Sequence, residues 1–187
     1  MYTMGVRGIL DSEYNYHKVR LGIKHWFFIS PVGWLEYEIE GGKIFSNTPL
    51  PYLLLETHPG NEAYFYNKTS FNAMNNMEFV SDFFVHARLE HHWDGFLLNR
   101  IPFVRKHLKW RFVTAVRAAW GTLQQKHEDA NRLNHYDRSV RRSRDRAQPY
   151  TEGPFYGRFD RGPYAEASVG IENILQFIRV DALWRLT

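Results

Sequence analysis

The chain has 187 residues, a formal net charge of +4, 44% hydrophobic and 17% aromatic residues, and no cysteine. This length predicts a single domain with enough apolar residues for a core. The lack of cysteine excludes disulfides and thiolate metal sites, and no apolar run approaches the ~20 residues of a membrane-spanning helix.

In chain order, the first expected element is a partial strand in YTMGVRGIL; no charged-then-apolar export signal precedes it, so an exported form is expected to carry its signal upstream. In HKVRLGIKHWFFI the apolar residues Val19, Leu21, Ile23, Phe27 and Ile29 oppose Lys18, Arg20 and Lys24. In WLEYEIEGG, Leu35, Tyr37 and Ile39 oppose Glu36, Glu38 and Glu40. Alternation of this kind marks a strand with one apolar and one polar face. A three-residue loop, Pro31-Val32-Gly33, joins the two segments with suitable turn chemistry. It predicts Lys24 opposite Glu40, Phe27 opposite Tyr37 and Ile29 opposite Leu35.

The stretch EFVSDFFVHARLEHHWDG (78–95) has two readings. His86, Glu90 and His92 suggest a metal, but the H-x-x-x-E-H spacing is one residue away from the inverted zinc motif H-x-x-E-H. Counting by twos favours a strand over 76–92: Met77, Phe79, Phe83, Val85, Ala87 and Leu89 are odd. Glu78, Asp82, His86, Arg88, Glu90 and His92 are even, with Val80 and Phe84 as exceptions. A further strand is expected over 109–123, where Arg117 is on the polar side. A C-terminal hairpin of 163–173 and FIRVDALWRL follows, predicting Ile171 opposite Ile178 and Ser168 opposite Asp181. Residues 124–162 carry nine Lys or Arg against six Asp or Glu, concentrated in RSVRRSRDR (138–146). These arginines are not interleaved with aromatics on a sheet face, which argues against nucleic acid.

The expected fold is therefore all-β: an antiparallel up-and-down meander of about seven strands over 1–187, read as part of a transmembrane β-barrel. Strands of 11 or more residues match the length of a tilted span. Aromatics near strand ends (Trp26, Phe27, Phe28, Trp34, Trp93, Trp110, Trp120 and Trp184) match interface girdles. The charged faces suit a hydrated interior, whose lining row is expected to be Lys24, Glu38, Glu40, Glu78, Asp82, His86, Arg88, Glu90, His92, Arg117 and Asp181. Long loops at 46–75 and 124–162 are expected outside the membrane. The alternative is a soluble barrel or sandwich that encloses an apolar ligand.

Three blocks, LPYLLLETHPGNEAYFYNKTSFNAMNNMEFVSD (50–82), LEHHWDGFLLNRIPFVRKHLKWR (89–111) and GIENILQFIRVDALWRL (170–186), resemble the C-terminal barrel of an uncharacterised outer-membrane family of Bacteroidota. Its full-length members carry an N-terminal carboxypeptidase-regulatory-like domain. The last block is also similar to the BamA-like surface-antigen superfamily. The resemblance implies outer-membrane lipid and the remainder of its own barrel as partners, and it brings no catalytic residue, metal or cofactor. The loop around HPGNEAYFYN supplies the candidate functional residues His58, Asn61, Glu62, Tyr64 and Tyr66, expected either to fold inward or to dock a protein partner.

Overall fold

The computed structural model describes residues 1–8, 13–63, 65–96, 98–104, 108–136, 150–154 and 156–186. Tyr64 and the arginine cluster at 138–146 lie outside the described residues. Four strands build the first half: β1 (Tyr2–Gly5), β2 (Tyr16–Phe28), β3 (Trp34–Ser46) and the two-residue β4 (Glu56–Thr57). The remainder are β5 (Val80–Ser81), β6 (Phe83–His92), β7 (Arg111–Thr122), β8 (Arg132–Tyr136), β9 (Tyr150–Pro154), β10 (Tyr164–Ile174) and β11 (Ile178–Arg185). One short helix, α1 (Gln125–Ala130), follows β7.

Seven strands form one antiparallel sheet in the order β1-β2-β3-β6-β7-β10-β11, the expected meander. The pairs β4-β5 and β8-β9 form separate two-stranded ladders in the two long connections. Among the described residues β1 and β11 are not bonded to each other, so the sheet is open. The expected strand over 76–92 is shorter than its alternation implied. Val80 and Ser81 pair instead with Thr57 and Glu56, and the sheet strand begins at Phe83.

Both hairpin registers differ from expectation by two residues. Lys24 is opposite Glu38, Phe27 opposite Leu35 and Phe28 opposite Trp34. The three-residue loop is Ser30–Val32, because the Ile29 N–H donates to the Gly33 carbonyl at 2.8 Å. Gly33 sits at φ +105°, where a Cβ would also collide with the His92 carbonyl, so this corner requires glycine. At the other end Ile171 faces Val180 and Gly170 faces Asp181, with a register shift between Ile171 and Ile174. A slip of two leaves every side chain on its expected face.

Those faces are inverted relative to a water-soluble sheet. Leu21 (72% exposed), Ile23 (58%) and Val180 (59%) stand uncovered, while Arg117 (3%) and Glu166 (0%) are buried. The described residues of the segment from 47 to 79 fold across the polar face of β6, β7 and β10, and leave Gly22, Lys24, Trp26 and Phe28 of β2 exposed. Two small apolar cores form beneath the segment: Ile44, Leu50, Leu55, Val80 and Tyr156, and then Phe71, Met74, Phe79, Ala119 and Tyr164. This explains the exceptions to the alternation. Val80 and Phe84 are apolar at polar-face positions because loop residues, not water, lie over them. Gly42 makes room for the Phe84 ring, 2.6 Å from where a Cβ would stand.

Candidate functional site

The covered face is organised as transverse rows of charge. Lys24, Glu38, Arg88, Arg117, Glu166 and Arg185 follow one another across β2, β3, β6, β7, β10 and β11. Arg88 and Arg117 are directly opposed like charges, a destabilising arrangement unless each finds an anion. Arg88 turns to Glu38 on β3 at 2.8 Å, and Arg117 turns to Glu166 on β10 at 3.2 Å, with Glu90 of β6 at 3.8 Å. Lys24 bridges Glu36 at 2.9 Å and Glu38 at 3.8 Å. Glu40 meets Arg20 at 3.3 Å, Glu78 meets Arg185 at 2.7 Å, and Asp82 accepts the Gln124 N–H at 3.3 Å.

Glu166 ties the covering loop to the sheet. Its carboxylate accepts the backbone N–H groups of Asn72 at 3.0 Å and Ala73 at 2.8 Å, the Tyr164 hydroxyl at 2.7 Å and Arg117. Four donors satisfy a carboxylate that has no contact with solvent, which is what makes its burial affordable.

Tyr66 is the second tie. Its hydroxyl donates to Glu90 at 3.0 Å and accepts from Arg117 and from Arg179 at 3.3 Å. The guanidinium carbons of Arg117 and Arg179 lie 4.9 and 4.5 Å from its ring centre. Both contacts are within cation–π range. Burial pushes the Tyr66 phenol above its ordinary pKa, so it remains a neutral donor. Arg179 also holds Asp181 at 2.7 Å and reaches Glu90 at 2.9 Å. Glu90 and Arg179 belong to strands three places apart, whose backbones would be roughly 14 Å apart in a flat sheet. Their long side chains meet over the polar face, across β7 and β10.

His58 closes the third contact. Its Nδ1 is 2.7 Å from His86 Nε2, and its Nε2 is 2.9 Å from Ser81 Oγ. Burial holds its pKa down at about 4, so the imidazole is neutral at pH 7. A serine beside an imidazole is a familiar nucleophile pair. Ser81 is wholly buried, however, and an attacking hydroxyl needs an open approach.

Of the loop residues singled out from sequence, His58 and Tyr66 fold inward. Asn61 braces the loop from within, donating to the Phe65 carbonyl at 2.9 Å and to Asn72 at 2.8 Å, and Glu62 is exposed. His86 is drawn to His58, while His92 lies between Glu90 at 2.9 Å and Glu172 at 3.2 Å. The three proposed metal ligands therefore do not converge, and among the described residues no three His, Asp or Glu side chains are placed to hold a metal ion. Among the described residues, no helix is long and apolar enough to cross a membrane. Arg179 and Glu166, central to the network, were missed; their polar-face parity was the available signal. A correction concerns Trp26, Phe28 and Trp34, expected at a girdle: they are even-numbered and share the polar face with Lys24 and Glu36.

A family model, described as the C-terminal domain of a family of unknown function, DUF5686, matches residues 1–129. The chain belongs to this family. The DUF5686 match runs from β1 through β7 and into α1, so it includes the loop carrying His58 and Tyr66. The Glu166 and Arg179 ties lie beyond it. No curated protein matches the chain. No solved structure matches it either.

Proposed function

We propose that this chain forms part of an outer-membrane β-barrel, with its uncovered apolar face against lipid and its covered polar face lining a hydrated interior plugged by the 47–79 loop. The observation that carries this reading is the inversion of burial. Leu21, Ile23, Ile39, Leu89, Val116 and Val180 are exposed while Asp82, His86, Glu90, Arg117 and Glu166 are buried. In water, so much contiguous apolar surface is a liability; in a bilayer it is the required exterior. Dimensions support it: the 13 residues of β2 extend roughly 43 Å at the rise of a strand, or roughly 33 Å of height at a ~40° tilt, close to the ~30 Å hydrocarbon core.

The role that follows is transport, assembly or surface structure, without catalysis. The open edges at β1 and β11 are then the places where the rest of the same barrel pairs. In this reading the family is an outer-membrane family of Bacteroidota whose longer members carry a carboxypeptidase-regulatory-like domain, and the similarity to BamA-like surface antigens reflects shared barrel architecture. The competing soluble carrier needs an enclosed apolar cavity; the covered face instead carries ionised rows.

The test is reconstitution of the full chain from denaturant into phosphatidylcholine vesicles. The expected result is insertion with protease-protected strands, and a Leu89→Arg variant less stable by roughly 2–4 kcal/mol, as for arginine at the lipid midplane. Lys24→Arg, on the polar face, is expected to be neutral. A monodisperse monomer in detergent-free buffer would overturn the proposal.

A further inference from the structure

The polar face carries charged side chains along most of its length, but its end nearest the Ser30–Val32 turn is different. There Trp26, Phe28 and Trp34 project from the same face as Lys24 and Glu36, with Trp26 and Phe28 55% and 69% exposed. They line a recess of about 640 Å³ together with Glu36, Asp94 and Arg111. This volume falls in the range of small-molecule sites. Trp26 and Phe28 stand open beside the half-buried Trp34 where the neighbouring positions of β2 and β3 carry Lys24 and Glu36, and aromatic surface uncovered among charges points to a ligand.

The rings are held in place. Trp26 and Phe28 meet edge-to-face at 5.4 Å, and Trp34 lies flat on His92 at 3.8 Å and 4°. The stacking on His92 fixes the orientation of the Trp34 ring at the edge of the recess. The charges around the recess pair among themselves: Glu36 with Lys24 at 2.9 Å and Lys68 at 3.1 Å, and Asp94 with Arg111 at 3.5 Å. Each of these charges already has a counter-charge beside it, which leaves none free to select an ion. What remains are planar carboxylate and guanidinium groups with spare hydrogen-bonding positions beside flat apolar surfaces.

We propose that this recess binds a neutral oligosaccharide, whose sugar rings place their apolar faces on Trp34 and Trp26 while their hydroxyls bond Glu36, Asp94 and Arg111. The site uses side chains of β2, β3, β7 and the β6–β7 connection, all within this chain, and binding there does not depend on the bilayer reading.

Isothermal titration of the full chain in detergent micelles with maltoheptaose, laminarihexaose, xylohexaose and chitohexaose tests it, with tetramethylammonium as the probe for a cation cage. At least one of the four sugars is expected to give saturable heat. Affinity is expected to fall tenfold or more in Trp26→Ala and Trp34→Ala, about fivefold in Asp94→Asn, and not at all in Trp184→Ala on the opposite face. Trp34 also packs on His92; should Trp34→Ala fail to fold, Trp26→Ala and Asp94→Asn carry the test. No saturable heat from any sugar, sugar binding that survives Trp26→Ala, or tighter binding of tetramethylammonium would each overturn the proposal. Failure of the chain to enter vesicles would leave this result unaffected, so the two readings fail separately.

Discussion

Replacing Glu166 with alanine removes the acceptor for four donors at once: two backbone N–H groups of the loop, the Tyr164 hydroxyl and Arg117. Arg117 is 3% exposed and would keep only Glu90, at 3.8 Å, as an anionic neighbour. Breaking a buried ion pair from one side costs about 3–5 kcal/mol, and each stranded buried N–H about 1–3. These costs do not add in full, because water enters the space left by the side chain and bonds the loop amides; the expected total is about 4 kcal/mol. Urea unfolding in vesicles, followed by far-ultraviolet circular dichroism, measures it. Hydrogen exchange should localise the loss to residues 70–74 before the sheet opens. Glu166→Gln keeps the shape and one acceptor and should lose about half as much. A loss under about 1 kcal/mol with unchanged exchange at Asn72 and Ala73 would refute the assignment of Glu166 as the anchor.

Tyr66→Phe keeps the ring over both guanidinium groups but deletes the hydroxyl that bonds Glu90, Arg117 and Arg179, and is expected to cost about 1–3 kcal/mol by the same unfolding assay. An unchanged midpoint would mean that Tyr66 is a passive filler. His58 gives a pH dependence whose sign is fixed by its lowered pKa. The unfolded imidazole takes up its proton near pH 6.5 and the folded one only at about pH 4. The loop's stability is therefore complete above pH 6.5 and declines by about 3 kcal/mol as pH falls to 4. His58→Gln should make that slope shallower without abolishing it, because the buried His86 to which it bonds remains, and a slope identical to the parent's would remove His58 as a source. Gly33→Ala should destabilise the first hairpin by more than 1 kcal/mol, read as a lower thermal midpoint, because left-handed backbone and the nearby His92 carbonyl both exclude a Cβ.

What could be read from the sequence was what a period of two encodes. The apolar and polar faces of β2, β3, β6, β7, β10 and β11 follow from residue parity, and so does the meander. The registers did not follow, for a physical reason: shifting a strand by two residues exchanges one carboxylate for the next on the same face. Lys24 shows this directly, since it lies within ion-pair distance of both Glu36 and Glu38. Charge complementarity therefore could not choose between Glu38 and Glu40 as its partner. The inward fold of the loop was one of two expected outcomes, but its contacts were not legible. Its ties join residues as far apart as Asn72 and Glu166, and no local pattern announces them. The aromatic recess was within reach of the parity rule, because Trp26, Phe28 and Trp34 are even; consecutive aromatics at strand ends hid the distinction between the two faces.

The most direct test of the central claim uses the absence of cysteine, which makes single-site labelling clean. Leu21→Cys, Gly22→Cys, Ile23→Cys and Lys24→Cys occupy four successive positions of β2, all exposed and alternating between the faces. Each variant would carry a bimane label in vesicles containing brominated phosphatidylcholine. Strong quenching at 21 and 23 with little at 22 and 24 is the predicted result. Equal quenching at all four, or the opposite alternation, would contradict the account.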